Sequence, residues 1–567
     1  MNDVVWPTAT AAGQARGKAL ELFDESNHDF LFRSVDYRSL GRVLLTGGGE
    51  RVAAMLAKIP AGELKVYALI TDSVRPSGID DGDRDEGGAA DVFLADIDLL
   101  SGYLGQFQVN VARDDKEFDL GELCFGEESG FFDIVFDLHQ PPVLEAELAA
   151  VGYFSPADAV AESAAVTAAA DLVGEFQKPR YFGYDPDICA HGRSGITGCT
   201  RCIDACPTNA IISVGEQVEV NPYLCQGGGV CATACPTGAM TYAYPPVDDV
   251  MTALRNGIRS LVEAGVDDAC LLIHDDTVGR EMVDSIAADL PENVIPLGVE
   301  EAASAGLDMW LSAISWGARS VKIVASHNVP PSVLAELQHQ IGIGHALLQA
   351  TAVDDQHLQV LRPSTAAALL QSLIDDAPAV AAVANSSSHA PASGKRNAIR
   401  VALDHLARES GVTGEVALPA GSPFGDIGVD KDACTLCMSC ASVCPTSAIT
   451  PGGDTPALRF AEFSCVQCGT CEVACPENAI TLTPRFLFDN DARMSTRTLN
   501  EEDPFNCVSC GKPFATQSVM ARMREKLAGH WMFQKPEQMR RLEMCEDCRV
   551  KDMLVSEGGL APSNRET

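Results

Sequence analysis

The sequence predicts a multidomain chain of mixed class, α/β together with α+β: two α/β domains with parallel-type sheets, two small cysteine-rich modules, and a cysteine-bearing tail. Three observations carry this. The 567 residues are too many for one hydrophobic core and give a prior of about three to five domains. Apolar runs alternate with helical patterns in two separate stretches, as βα units do. The 21 cysteines are gathered into tight groups rather than scattered.

Residues 1–175 form the first α/β domain. GRVLLTG and KVYALITD read as buried strands, ERVAAMLAKI between them as a helix, and FFDIVFDL at 131 to 138 as a further strand. The acidic, Gly-rich run IDDGDRDEGGAAD at 79 to 91 interrupts the alternation and reads as a mobile surface loop. Gly47, Gly48 and Gly49 follow the strand RVLLT, and Asp72 ends the next strand. These are the parts of a dinucleotide site, but the third glycine position is Val52 or Ala53, so a tight structural turn is the simpler reading.

A cysteine-rich module occupies 176–246. The second α/β domain spans 247–376, where Val250, Leu254, Ile258 and Leu261 recur at helical spacing and ACLLI, NVIPLGV and SVKIVA read as short buried strands. His274 and Asp275 stand at a strand end, a position where ligands often bind, although a satisfied turn explains them equally. Residues 377–395 are rich in Ala, Pro and Ser and carry no periodicity. That composition predicts a flexible linker and a hinge between the two modules. The second cysteine module occupies 396–490 and the tail 491–567.

Charge and hydropathy exclude several partners. A formal net charge of −38 repels phosphate backbones and anionic lipid, so nucleic acid is not expected; such a field steers a protein toward basic docking faces. No run approaches the roughly 18 apolar residues of a membrane helix, and Met1 to Gly17 lack the pattern of an export signal. A cytoplasmic protein without direct membrane insertion is the expectation. In a reducing compartment, clustered cysteines read as metal ligands rather than disulfides.

The second module carries the full motif. Cys434-x2-Cys437-x2-Cys440-x3-Cys444-Pro445 is followed by Cys465-x2-Cys468-x2-Cys471-x3-Cys475-Pro476. Two residues between ligands make a loop that wraps the corners of a cubane, and the proline turns the chain away after the fourth cysteine. The first module repeats this with two departures: Cys189-x9-Cys199-x2-Cys202-x3-Cys206-Pro207, then Cys225-x5-Cys231-x3-Cys235-Pro236. AHGRSGITG is inserted after Cys189, which leaves Cys189 or His191 as the first ligand, and Gly228 stands where a middle cysteine belongs.

Residues 181–244 and 425–490 resemble bacterial dicluster ferredoxins, and the tandem arrangement looks like polyferredoxin subunits of larger redox complexes. The resemblance implies one-electron relay and interleaved ligation, with the fourth cysteine of each run serving the other cluster. One [4Fe-4S] cluster then takes Cys434, Cys437, Cys440 and Cys475, and a second takes Cys465, Cys468, Cys471 and Cys444. A third takes Cys189, Cys199, Cys202 and Cys235. Cys206, Cys225 and Cys231 supply three thiolates for a [3Fe-4S] cluster or a [4Fe-4S] cluster with a labile site.

In the tail, Cys507-x2-Cys510 and Cys545-x2-Cys548 suit tetrahedral zinc, and CVSCGKPF resembles a zinc-ribbon knuckle; a fifth iron-sulfur cluster and free thiols are the alternatives. Cys124 and Cys270 stand apart and read as small core residues. Three functions follow. The first is a non-catalytic electron-transfer subunit serving redox protein partners in a larger oxidoreductase complex, such as one resembling formate dehydrogenase. The second is an NAD(P)H- or flavin-linked oxidoreductase with fused ferredoxin domains. The third is a redox-sensing or assembly protein.

Overall fold

The computed structural model describes residues 6–28, 32–60, 62, 64–72, 91–113, 116–126, 130–375, 382–453 and 455–556. Residues 79–90 of the acidic run and 377–381 of the linker lie outside them.

Val43, Leu44 and Leu45 are all fully buried, as the continuous apolar run RVLLT requires of a strand covered on both faces. That strand, Arg42–Gly47, is the centre of a five-stranded parallel sheet ordered Asp91–Leu94, Lys65–Ile70, Arg42–Gly47, Ile134–Asp137, Tyr153–Phe154. The strand order reverses between Arg42–Gly47 and Ile134–Asp137, which makes a doubly wound topology with its switch point there. Val52 and Met55 of the helix Gly49–Leu56, with Ala165 and Ala169 of Ala159–Ala170, cover one face. The other face meets a three-stranded antiparallel sheet, Asp96–Ser101, Gln108–Arg113 and Lys116–Asp119, through Leu100, Val109 and Val111.

A second parallel sheet runs Val294–Val299, Cys270–Asp275, Ser320–Val324, Leu358–Leu361. The helix Val247–Glu263 turns Val250, Leu254, Ile258 and Leu261 into its core, at the spacing read from the sequence. Two helices join this core from outside the range 247–376. Ala11–His28 packs across Val247–Glu263, where a Cβ on Gly257 would stand 3.1 Å from Ala19 and 3.2 Å from Phe23. Lys395–Ser410 packs Ala398, Ile399, Ala402, Leu403 and Leu406 into the same core, against the helix Leu307–Trp316, which is buried at every residue but Asp308. Sequence continuity placed these helices elsewhere; their apolar faces find the largest available core.

The described part of the linker is not free. The Ser387 N–H donates to the Ser315 carbonyl at 2.7 Å, and Arg255 Nε and Trp316 Nε1 donate to the His389 carbonyl at 2.7 and 3.2 Å. Small residues leave that backbone open to neighbouring donors, so 382–394 are held against the second core and the expected hinge gives way to a strap.

Each cysteine module is built from paired strands and short helices. In the first, Phe182–Tyr184 pairs with Met240–Tyr242 and Ile211–Val214 with Gln217–Val220. In the second, Gly425–Val429 pairs with Ile480–Leu487, and Ile449–Pro451 with Ala457–Ala461. Thr496–Glu501 adds a strand to the latter pair, so this module reaches past residue 490. No helix among the described residues is long and apolar enough to cross a membrane.

Candidate metal centres

The loops that carry the cysteines share one backbone pattern. In Cys434–Cys440, Leu436 and Met438 have φ of 53° and 64°; in Cys465–Cys471, Gln467 and Gly469 have 53° and 83°. Left-handed residues on either side of the middle cysteine curl the chain around a central object, with amides available to the sulfurs. In Cys225–Cys231 the pattern recurs at Gly227 and Gly229, with φ of 83° and 68°. Gly228 therefore sits in a fully formed loop. The turns after each proline match as well: Asn209, Gly238, Ser447 and Asn478 are all left-handed.

The thiols gather in interleaved groups. Cys434, Cys437, Cys440 and Cys475 line a cavity of about 350 Å³, and Cys444, Cys465, Cys468 and Cys471 line another of about 320 Å³. Cys189, Cys199 and Cys235 lie close enough to raise the Cys202 thiol, whose burial is the larger cause. Cys206, Cys225, Cys231 and Gly228 line a cavity of about 390 Å³, so the missing thiol has not let that loop collapse. Burial, with neighbouring thiols adding to it, pushes Cys440 up to about 12. Burial likewise takes Cys465 to about 11 and Cys199 to about 11. Thiols so crowded resist ionising alone and favour a cationic centre that holds them as thiolates. Hydroxyls two residues on approach several of them, as Thr470 does Cys468 at 3.2 Å, and the Met240 and Ala479 amides donate to Cys235 and Cys475 at 3.3 Å each.

His191 is buried with both ring nitrogens engaged, Nδ1 with the Cys199 carbonyl at 2.8 Å and Nε2 with Ser213 Oγ at 2.7 Å. It anchors the insertion instead of facing the thiols. The insertion itself is a hairpin, Gly192–Arg193 paired with Ile196–Thr197.

In the tail, Cys507, Cys510, Cys545 and Cys548 bring their sulfurs within 4.8 Å of one another, and Cys510 Sγ lies 3.7 Å from Cys545 Sγ. A tetrahedron of metal-sulfur bonds of about 2.3 Å has edges of about 3.8 Å, so this group fits one metal ion and is too tight for a four-iron cube. Burial opposes ionisation at Cys507, but the amides of Cys545, Cys510 and Ser509 bring its thiol down to about 6. The tail abuts the second module, with Thr516 Oγ1 donating to the Thr435 carbonyl at 3.0 Å and Arg522 to the Ala433 carbonyl at 2.8 Å.

The α/β candidates do other work. Asp72 accepts from the Gly49 N–H at 3.0 and 3.1 Å, so the loop amide that a pyrophosphate would need already holds a carboxylate. Asp275 accepts from the Thr277 and Gly279 amides at 3.0 and 3.1 Å and closes the turn into the helix Val278–Ser285, while His274 is buried with Nδ1 on the Asp275 carbonyl. Cys270 is buried and Cys124 half-buried, both in apolar clusters.

Sequence reasoning missed the cations around these groups. Lys178 donates to the Cys225 carbonyl at 2.6 Å, and burial lowers its amine to about 8. Lys395 donates to the Ala232 and Thr233 carbonyls, and Arg396 to the carbonyls of Pro236 and Cys465. The one signal was a Lys-Arg pair opening a helix in a strongly acidic chain.

Comparison with known proteins agrees with this geometry. Three family matches, each described as a 4Fe-4S dicluster domain, cover residues 182–236, 433–480 and 464–516. Fifty-one residues are 43% identical to the ferredoxin-type protein NapF of Escherichia coli K12, and equally to that of strain O157:H7; the match covers 8% of this chain and 31% of the relative. The chain thus spans about a third of the length of the curated relatives it matches.

Proposed function

We propose that this chain, which carries tandem dicluster ferredoxin modules in a polyferredoxin-like protein, relays single electrons between redox protein partners. The observation that carries the reading is the wrapped loop with left-handed residues on either side of its middle position, present three times and each time lined by the thiols the ferredoxin pattern pairs.

Three [4Fe-4S] clusters take Cys189, Cys199, Cys202, Cys235; Cys434, Cys437, Cys440, Cys475; and Cys444, Cys465, Cys468, Cys471. The group Cys206, Cys225 and Cys231 holds a [3Fe-4S] cluster, because Gly228 offers no ligand and no fourth cysteine lines that cavity. When bound, the clusters supply reversible one-electron chemistry. The chain's part is to fix the thiolates, surround them with amides and hydroxyls, and limit water. Zinc, a structural ion, suits the tail thiols.

The net charge of −38 favours a partner with a basic docking face. The partner we propose is a larger oxidoreductase complex, with one of the formate dehydrogenase kind as an example. The occupied Gly49 amide and the capping role of Asp275 favour relay over nucleotide-linked catalysis. Metal analysis of anaerobically purified protein, followed by a reductive titration with dithionite, tests the reading. About fifteen irons per chain that bleach and recover reversibly are expected. Zinc in place of iron, or iron that does not reduce, would overturn it.

A further inference from the structure

The insertion between Cys189 and Cys199 has nine residues where the second module has two at the matching place, Cys434 to Cys437. It is an ordered device. Ser194 and Gly195, with φ of 55° and 76°, make the tight turn that joins Gly192–Arg193 to Ile196–Thr197, and buried His191 pins its base.

The hairpin ends against the other module. Arg193 Nη1 donates to the Cys444 carbonyl at 2.9 Å. A Cβ added to Gly198 would overlap the fully buried Thr470 hydroxyl and stand 3.4 Å from the Cys468 carbonyl. Alongside it, Arg396 donates to the Pro236 carbonyl at 3.1 Å and to the Cys465 carbonyl at 2.8 Å. Each contact lands on, or next to, a cysteine of two groups only: Cys189, Cys199, Cys202, Cys235 on one side and Cys444, Cys465, Cys468, Cys471 on the other.

Resting on the cluster reading above, we infer that the 190–198 insertion is the junction through which the two ferredoxin modules exchange electrons, setting the Cys199 group of one against the Cys468 group of the other. One electron leaves one group as the other gains it, with no bond made or broken and no proton moved. Arg193 and Arg396 place positive charge between two anionic groups, which lowers their repulsion when the second electron is present. The four groups then form one series. The Gly228 group lies at one end, beside Lys178 and with Gln226 donating to the Ala149 carbonyl of the first α/β domain at 2.6 Å. The Cys434 group lies at the other, beside the tail.

The test uses the full chain, purified anaerobically and reduced with dithionite, with Gly198→Val as a wedge and Arg193→Ala as a milder loosening. Metal analysis and EPR are read together. Beyond the coupling of the two clusters within each module, the parent protein is expected to show added broadening from coupling between the modules, and both variants to keep their iron while losing that added part. No added broadening in the parent, or undiminished added broadening in Arg193→Ala and a folded Gly198→Val, would overturn the junction with the clusters intact. Iron missing from the parent would instead overturn the cluster reading, and the junction with it.

Discussion

The guanidinium of Arg396 donates to the backbone carbonyl of Cys465 at 2.8 Å while its other terminal nitrogen reaches Pro236 at 3.1 Å and Pro423 at 2.8 Å. One side chain at the start of the helix Lys395–Ser410 thus ties both cysteine modules to the second α/β core. Burial pulls the Arg396 guanidinium down to about 10, still charged at neutral pH.

Removing that fork leaves buried carbonyls without donors. Arg396→Ala should destabilise the modules by about 2–4 kcal/mol, and Arg396→Lys should recover little, because an ammonium cannot span the same carbonyls. Denaturant unfolding followed by loss of cluster absorbance measures this; full rescue by lysine would show that charge alone matters.

Gly228 has room for a ligand. Its φ lies outside the left-handed region, and an added Cβ would meet nothing nearer than Pro207 Cγ at 3.9 Å. Gly228→Cys should therefore gain about one iron per chain and lose the three-iron EPR signal of the oxidised protein. Persistence of that signal would count against the group Cys206, Cys225 and Cys231.

His191→Gln should keep the iron content of the parent, since neither ring nitrogen faces the thiols. Loss of a whole cluster in an otherwise folded variant would make His191 a ligand after all.

Cys507→Ser breaks a four-sulfur group, so the tail should release its metal and unfold while the iron clusters persist. Proteolysis after residue 501 that accelerates in the variant, and in the parent treated with a zinc chelator, would report it. Unchanged digestion would mean that the thiols carry no structural ion.

Glu301 gives the pH dependence. Burial, with Asp275 and Glu300 adding repulsion, raises its carboxyl from 4.5 to about 7. The folded state keeps a proton that the unfolded chain loses above about 4.5, so this contribution is full below that pH and declines up to about 7. Glu301→Gln should match the parent near pH 4.5 and exceed it by about 2 kcal/mol at pH 8. Thermal unfolding at both values checks the sign.

Much of the candidate site was legible because the chemistry is local. Ligand spacing of two and three residues fixes how a loop wraps a metal, so the cysteine runs and their prolines stood out in the sequence, and these cysteines line two of the cavities. Gly228 was legible for the same reason. The strands RVLLT, ACLLI and SVKIV were legible as apolar runs, yet their order in the sheets was not, since pairing partners are far apart in sequence.

What sequence alone determined is the set of thiols, their likeness to ferredoxin runs and the glycine at position 228 where the pattern has a cysteine, each a matter of residue type at short spacing. Tertiary structure decided where those thiols stand relative to one another across the chain. An insertion after Cys189 became a contact between modules because Arg193 meets a carbonyl 251 residues away, and a composition fit for a tether became a strap because Arg255 and Trp316 supply donors to its backbone. Buried carbonyls require partners, and which donor reaches them is settled only by packing.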